Sequence, residues 1–225
     1  MPHTMTKEME ALLGPTVLTK AAAPAVSTSS ASALGSADIC LLYFSASWCP
    51  PCRSFTPILK DFYENNGKKS GVQVVFVSSD SDLQSFEEYY KKMPWLSLST
   101  DADSASIKQK LAQMFQIRGI PSLIAIDAKS GKYITNDARS DVMSAGGDDA
   151  EQKEIIQKWQ SIEAVPIEEA DLSSGAGPGG IGAVVTFLLR NPIYIFGLLY
   201  FARRALAYLQ EMGRDDEEGT GGEEL

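Results

Sequence analysis

Ile39-Cys40-Leu41-Leu42-Tyr43-Phe44-Ser45, running straight into Ala46-Ser47-Trp48-Cys49-Pro50-Pro51-Cys52, is the stretch that decides the fold. Its first half is continuously apolar, strand-length and rich in β-formers, the pattern of a central strand covered on both faces. Its second half changes character at once. From Arg53 to Tyr63, Phe55, Ile58, Leu59, Phe62 and Tyr63 recur at helical spacing, and Asn65-Asn66-Gly67 closes that helix. A Cys-x-x-Cys pair therefore sits between a buried strand and a helix start.

That setting has a chemical use. At a helix N-terminus, unpaired backbone N–H groups and the positive end of the macrodipole favour a thiolate, which is the attacking form of cysteine. Cys49 is placed to attack a substrate disulfide, and Cys52, one turn on, to displace the mixed disulfide and leave an internal Cys49–Cys52 bond. Half of a zinc site is the competing reading. Such a site needs about four ligands, and the chain offers only Cys40 and His3 besides. No metal and no other cofactor is expected. Pro50 and Pro51 fix φ and remove two donors beside the thiolate, which bears on the redox potential. Cys40 lies within the strand and is expected to behave as a small hydrophobe.

Outward from the motif, Val72–Ser78 reads as a second buried strand and Leu83–Met93 as a helix stopped by Pro94. Ser104–Phe115 is expected to be helical. Ile120-Pro121-Ser122 then leads into a strand at Leu123–Ile126, and a turn at Lys129-Ser130-Gly131 into Lys132–Thr135. Glu151–Ile162 makes a last helix. Strands alternating with helices of this length indicate an α/β domain, with an antiparallel edge supplied by the late hairpin. Residues 1–37 are expected to form a lead-in or β-hairpin and 38–165 the catalytic domain. Asp80 ends a strand on the side of the cysteines, where an aspartate either assists proton transfer or caps the next helix. Trp48 adjoins Cys49 and is expected to shield it and meet substrate; Trp95 is expected in the core.

The stretch from Tyr43 to Pro57 resembles the active-site signature of tryparedoxins and their nucleoredoxin relatives, a branch of the thioredoxin-like superfamily. Val74-Val75-Phe76, Met93-Pro94-Trp95-Leu96, Ile120-Pro121-Ser122-Leu123-Ile124 and Asp127-Ala128-Lys129-Ser130-Gly131 continue the similarity in order and spacing, over roughly residues 8 to 165. The resemblance implies a thioredoxin-like fold, a central mixed β-sheet flanked by helices, with a cis peptide bond at Pro121 facing the cysteines. Ile120, just before it, would offer its backbone to an incoming substrate, and Pro50 and Trp48 would line the same surface. Ordinary thioredoxins carry a buried Asp six residues before the first active-site Cys, and here that position is Tyr43.

The resemblance also implies the electron path. A low-molecular-weight thiol, trypanothione or glutathione, would be the reductant, and peroxiredoxins or similar disulfide proteins the clients. Arg139 matches the family's basic residue that contacts the thiol, although an ordinary surface arginine would look the same. The pattern departs at Ser79, where the family has a Trp, and at Ser81, where an acidic residue is expected to meet the polyamine. A redox-silent thioredoxin-like module that recruits partners at a membrane is the rival reading, and the presence of both cysteines argues against it.

The formal net charge of −9 argues against a nucleic-acid partner, because phosphate binding needs a basic surface. Three cysteines in 225 residues suit a reducing compartment, and the polar start from Met1 to Glu10 does not resemble a secretory leader. Beyond Asp171 the chain changes: 172–182 reads as a Gly-rich linker, 183–210 as a hydrophobic helix and membrane anchor, and 211–225 as an acidic, disordered tail. The apolar run 181–202 is interrupted by Arg190, Asn191 and Pro192. Its twelve Ile, Leu, Val and Phe residues contribute about −4 to −7 kcal/mol on an insertion scale and a central Arg costs about +3, so spanning is marginal. The expectation is a cytosol-facing domain tail-anchored in the mitochondrial outer membrane or the endoplasmic reticulum. The alternatives are an interfacial helix and a soluble cytosolic protein.

Overall fold

In the computed structural model, residues 6–19, 26–35, 37–170 and 172 are described. The run Ile39–Ser45 is strand β3, buried at every position, as its unbroken apolar character requires. The chain reaches it through helix α1 (Lys7–Leu13), strands β1 (Thr16–Thr19) and β2 (Val26–Ser29), and helix α2 (Ser30–Leu34). After it come α3 (Pro50–Phe62), β4 (Val72–Ser78), α4 (Leu83–Tyr90), β5 (Leu96–Ser97) and α5 (Ala102–Met114). Strands β6 (Ser122–Asp127) and β7 (Tyr133–Thr135) and helices α6 (Ala138–Ala145) and α7 (Asp149–Ser161) complete the strands and α-helices of the described residues.

The strands form one sheet in the order β2-β1-β5-β4-β3-β6-β7. β3 pairs in parallel with β4 along its full length, β4 pairs in parallel with β5, and the other neighbours are antiparallel, so the sheet is mixed. Because side chains alternate along a strand, the sheet feeds two separate cores. Ile39, Leu41 and Tyr43 join Phe55, Leu59, Phe62, Phe86, Tyr89, Val142 and Trp159 on the side of α3, α4, α6 and α7. Cys40, Leu42 and Phe44 face Met9, Leu13, Leu111 and Phe115 on the side of α1 and α5. A sheet covered on both faces places the C-terminal ends of β3 and β4 side by side at one edge, where the cysteine motif follows.

The elements differ from the sequence reading in instructive places. Helix α3 begins at Pro50, directly after Cys49 as expected, since proline is well suited to the first helical positions, where a backbone N–H has no partner to lose. Its Asn65-Asn66-Gly67 end is a π-type turn over Tyr63–Gly67, not a simple stop. Buried Asn66 explains the wide turn: its side-chain amide donates to Gln152 Oε1 at 2.8 Å and Asp149 Oδ1 at 2.9 Å, tying the end of α3 to α7. Helix α4 ends at Tyr90 instead of Met93 because Lys92 N and Met93 N turn back onto the carbonyls of Tyr89 and Tyr90 before Pro94.

The lead-in contains the expected hairpin, β1 with β2, and also α1, whose N-cap Thr6 accepts from Met9 N. Strand β5 and helix α6 were not read from the sequence, being short and weakly periodic. The linker, the C-terminal hydrophobic helix expected at 183–210 and the acidic tail lie outside the described residues. Among the described residues, no helix is long and apolar enough to cross a membrane.

Candidate active site

Strand β3 delivers the chain into the turn Ala46-Ser47-Trp48, and Cys49 takes the N-cap position of α3, with extended backbone angles. Prolines at 50 and 51 have no N–H, and Arg53 N is already bonded to Cys49 O at 3.1 Å. The donor left for Cys49 is Cys52 N, which points at Cys49 Sγ from 3.3 Å. The two sulfurs are joined in a disulfide with the Cα atoms 5.2 Å apart. Cys49 retains 4% of its surface and Cys52 none, so an incoming group reaches Cys49 first.

The loop before β6 closes the other side. The Ile120–Pro121 peptide bond is cis, as the resemblance implies, and the Ile120 carbonyl oxygen lies 3.7 Å from Cys49 Sγ. Ala46, Cys49, Cys52 and Ile120 form a small apolar cluster of their own. Trp48 projects from the turn with 61% of its surface exposed, its indole N–H directed at the Ser79 carbonyl at 3.4 Å. Pro50 is exposed beside it. Trp95, by contrast, is buried between Tyr43 and Tyr63, in the core as expected.

Asp80 has a specific task in this geometry. One carboxylate oxygen accepts from Ser47 N at 2.8 Å and Ser47 Oγ at 2.7 Å, and the other accepts from Ser78 Oγ at 2.8 Å. Asp82, not Asp80, caps α4, accepting from Ser85 N. Arg53 Nη1 donates to Ser47 O at 3.3 Å, so the turn preceding Cys49 is held from β4 and from α3 alike. Arg139 sits in the first turn of α6 with its guanidinium 5.8 Å from the centre of the Phe55 ring of α3. Its Nε is buried without a hydrogen-bond partner. Half-buried Lys108 on α5 has its ammonium pKa lowered by desolvation, against the attraction of Asp101 and Asp80.

Beneath the cysteines lies a feature that motif reading passed over. Tyr43, Ser45, Thr56 and Tyr89 are buried together, and their hydroxyls contact one another. Two of them, Tyr43 and Thr56, donate to the Cys52 carbonyl at 3.3 and 2.9 Å. Burial pushes the Tyr43 phenol pKa up, so it stays protonated. The signal available in the sequence was period-two spacing, which puts Tyr43 and Ser45 on one face of β3, and helical spacing, which puts Thr56 one turn after Cys52.

The comparisons with known proteins agree with this geometry. Residues 36–133 match the thioredoxin-like family model described as "Thioredoxin-like". A tryparedoxin of Trypanosoma brucei brucei is 46% identical over 102 residues, covering 45% of this chain and 69% of that protein. A probable nucleoredoxin 1 of Arabidopsis thaliana is 41% identical over 128 residues, which are 54% of this chain and 22% of that longer protein. A solved structure of tryparedoxin II in complex with glutathionylspermidine superposes with a TM-score of 0.54 at 37% identity, over 61% of this chain and 90% of that one. With the Cys49–Cys52 pair set at a helix N-terminus opposite a cis-proline, the chain belongs to the tryparedoxin and nucleoredoxin branch of the thioredoxin-like superfamily and is a thiol–disulfide oxidoreductase.

Proposed function

We propose that this protein carries two electrons at a time from a low-molecular-weight thiol to the disulfide of a peroxiredoxin-type client. The observation that supports it most directly is the asymmetry of the dithiol: Cys49 reaches the surface and receives the Cys52 N–H, whereas Cys52 is fully enclosed. Such a pair divides the labour. The Cys49 thiolate attacks one client sulfur and expels the other as a thiolate, and the Cys52 thiolate, its proton released to solvent, then attacks Cys49 Sγ and frees the second client sulfur. The client is reduced and the pair is oxidised. Two thiol groups of the reductant restore it, becoming a disulfide themselves.

Trp48, Pro50 and the Ile120–Pro121 backbone make up the substrate surface in this reading, with Asp80 holding the turn that carries Trp48 and Cys49. Asp80 is a positioning residue here rather than a proton relay, because both of its oxygens are engaged by Ser47 and Ser78. The reductant is a glutathione-type thiol. Glutathionylspermidine, bound by the tryparedoxin II relative, contains that unit, and Arg139 is the candidate contact for its carboxylates. Ser79 and Ser81 bring neither an aromatic ring nor a charge to meet a polyamine. For the domains, residues 38–165 carry the activity, 1–37 are the lead-in that contains β1 and β2, 172–182 link, 183–210 are the apolar segment and 211–225 the acidic tail. We take a free cytosolic protein over a tail-anchored one, because Arg190, Asn191 and Pro192 interrupt the apolar run 181–202 near its middle.

In a coupled assay with a peroxiredoxin, Cys49→Ser is expected to abolish turnover, and Cys52→Ser to accumulate a mixed disulfide visible by mass; an active Cys49→Ser protein would end the mechanism. Supplied in turn with glutathione and trypanothione, the wild type is expected to turn over comparably with both, and a strong preference for trypanothione would show that polyamine recognition does not need the residues replaced by Ser79 and Ser81. Asp80→Asn is expected to slow turnover about three- to tenfold, the scale of one weakened hydrogen bond, with the shape of the pH–rate profile unchanged. Loss of one limb of that profile would make Asp80 a proton donor instead. In carbonate-washed membranes from cells making the full chain, the protein is expected in the supernatant; retention in the pellet would restore the anchor.

A further inference from the structure

The segment that holds Cys52 is short of backbone support. Prolines at 50, 51 and 57 each remove an N–H from α3, so the carbonyls they would have met are left to other donors. Ala46 O is taken by Cys49 N and Ser47 O by the Arg53 guanidinium. Cys52 O, whose helical partner Thr56 is not a proline, is met in addition from below by the hydroxyls of Tyr43 and Thr56.

Those two hydroxyls belong to a closed set. Ser45 Oγ donates to Tyr43 Oη at 3.0 Å, Tyr43 Oη lies 2.8 Å from Thr56 Oγ1, and Tyr89 Oη lies 2.6 Å from Thr56 Oγ1 and 3.1 Å from Ser45 Oγ. Four O–H groups meet only each other and the Cys52 carbonyl. One assignment uses every proton: Tyr89 donates to Thr56 and Thr56 to Cys52 O, while Ser45 donates to Tyr43 and Tyr43 to Cys52 O. All four residues are nearly or wholly buried and none carries a charge. Tyr89 comes from α4, Tyr43 and Ser45 from β3, and Thr56 from α3, so the chain of hydroxyls ties three elements to one peptide group.

We propose that this hydroxyl chain, with Tyr89 as its outer support, positions the resolving thiol and sets the rate at which Cys52 closes on a mixed disulfide at Cys49. Closure requires Cys52 Sγ to lie in line with the bond between Cys49 and the substrate sulfur, and small misplacements of reacting atoms are costly. The first turn of α3, opened by two prolines, has few backbone bonds to fix that alignment, and the hydroxyls add side-chain bonds to the peptide group that carries Cys52. The attack by Cys49, which depends on the small part of its surface that is open and on the Cys52 N–H, does not draw on Tyr89. Tyr43, Ser45, Thr56 and Tyr89 act through Cys52 and are positioning residues.

The inference rests on the dithiol exchange proposed above, and a stopped-flow reaction of the reduced full chain with 5,5′-dithiobis(2-nitrobenzoate) separates the two. Attack by Cys49 releases one thionitrobenzoate and leaves a Cys49 mixed disulfide; attack by Cys52 on Cys49 Sγ forms the internal disulfide and releases the second. Cys40 is fully buried, with its thiol pKa pushed up by burial, and stays silent. Tyr89→Phe, which keeps the ring against Phe76, is expected to leave the first phase unchanged and slow the second about three- to tenfold, the factor matching one net hydrogen bond. Thr56→Val should do the same and Thr56→Ser should restore the rate. Tyr90→Phe, which loses bonds to the carbonyls of Leu18 and Trp95 on the neighbouring position of α4, should change neither phase. An unaltered second phase in Tyr89→Phe, or an equal slowing in Tyr90→Phe, overturns the proposal. Release of only one equivalent by the wild type would instead defeat the dithiol reading itself.

Discussion

The N–H of Cys52 directed at Cys49 Sγ is the contact on which the site depends. It exists because two consecutive prolines start α3 without offering donors of their own, so the first turn of the helix concentrates its positive end on a single sulfur. The same prolines leave the helix start poorly tied to itself, and the protein meets that cost from outside: Asp80 grips Ser47 from the end of β4, Arg53 reaches back to the same residue, and the buried hydroxyls hold Cys52 from beneath. Activation of one cysteine and external bracing of both are two results of one local choice of sequence.

The sheet makes that bracing possible. Parallel pairing of β3 with β4 in full register brings Ser45 opposite Ser78, so the two loops that follow emerge side by side and Asp80 arrives next to Ser47. Antiparallel pairing of β3 with β6 runs Phe44 opposite Ser122, which sets Pro121 and Ile120 over the cysteines from the other flank. Three loops from three adjacent strands thus meet at one point, and none of them has to be long.

Much of this was legible in the chain. The apolar run Ile39–Ser45, the motif after it and the alternation of strands with helices led to the α/β sandwich and to Cys49 and Cys52 directly, because burial on both faces and a helix N-terminus leave plain marks on sequence. Ile120 and Pro121 were placed through the family resemblance, since nothing in local composition announces a cis bond. What escaped was either short or cooperative. Strand β5 has two residues, α6 carries a weak apolar face, and α1 begins in a polar stretch whose only advertisement is Thr6. The hydroxyl chain draws one residue from α4 and one from α3 to meet two from β3; each looks ordinary alone, and only the packing shows that their oxygens converge.

The alternation of side chains along β3 also separates the protein's sulfurs. Cys40 points into the core beneath α1 and α5, whereas the supports of Cys52 line the opposite face of the same strand. A sheet therefore stands between the third thiol and the reactive pair. The domain has one disulfide it can form internally and no competing partner for it, so oxidation ends in a single defined product instead of a scrambled set, and the count of electrons stored per folded unit stays at two.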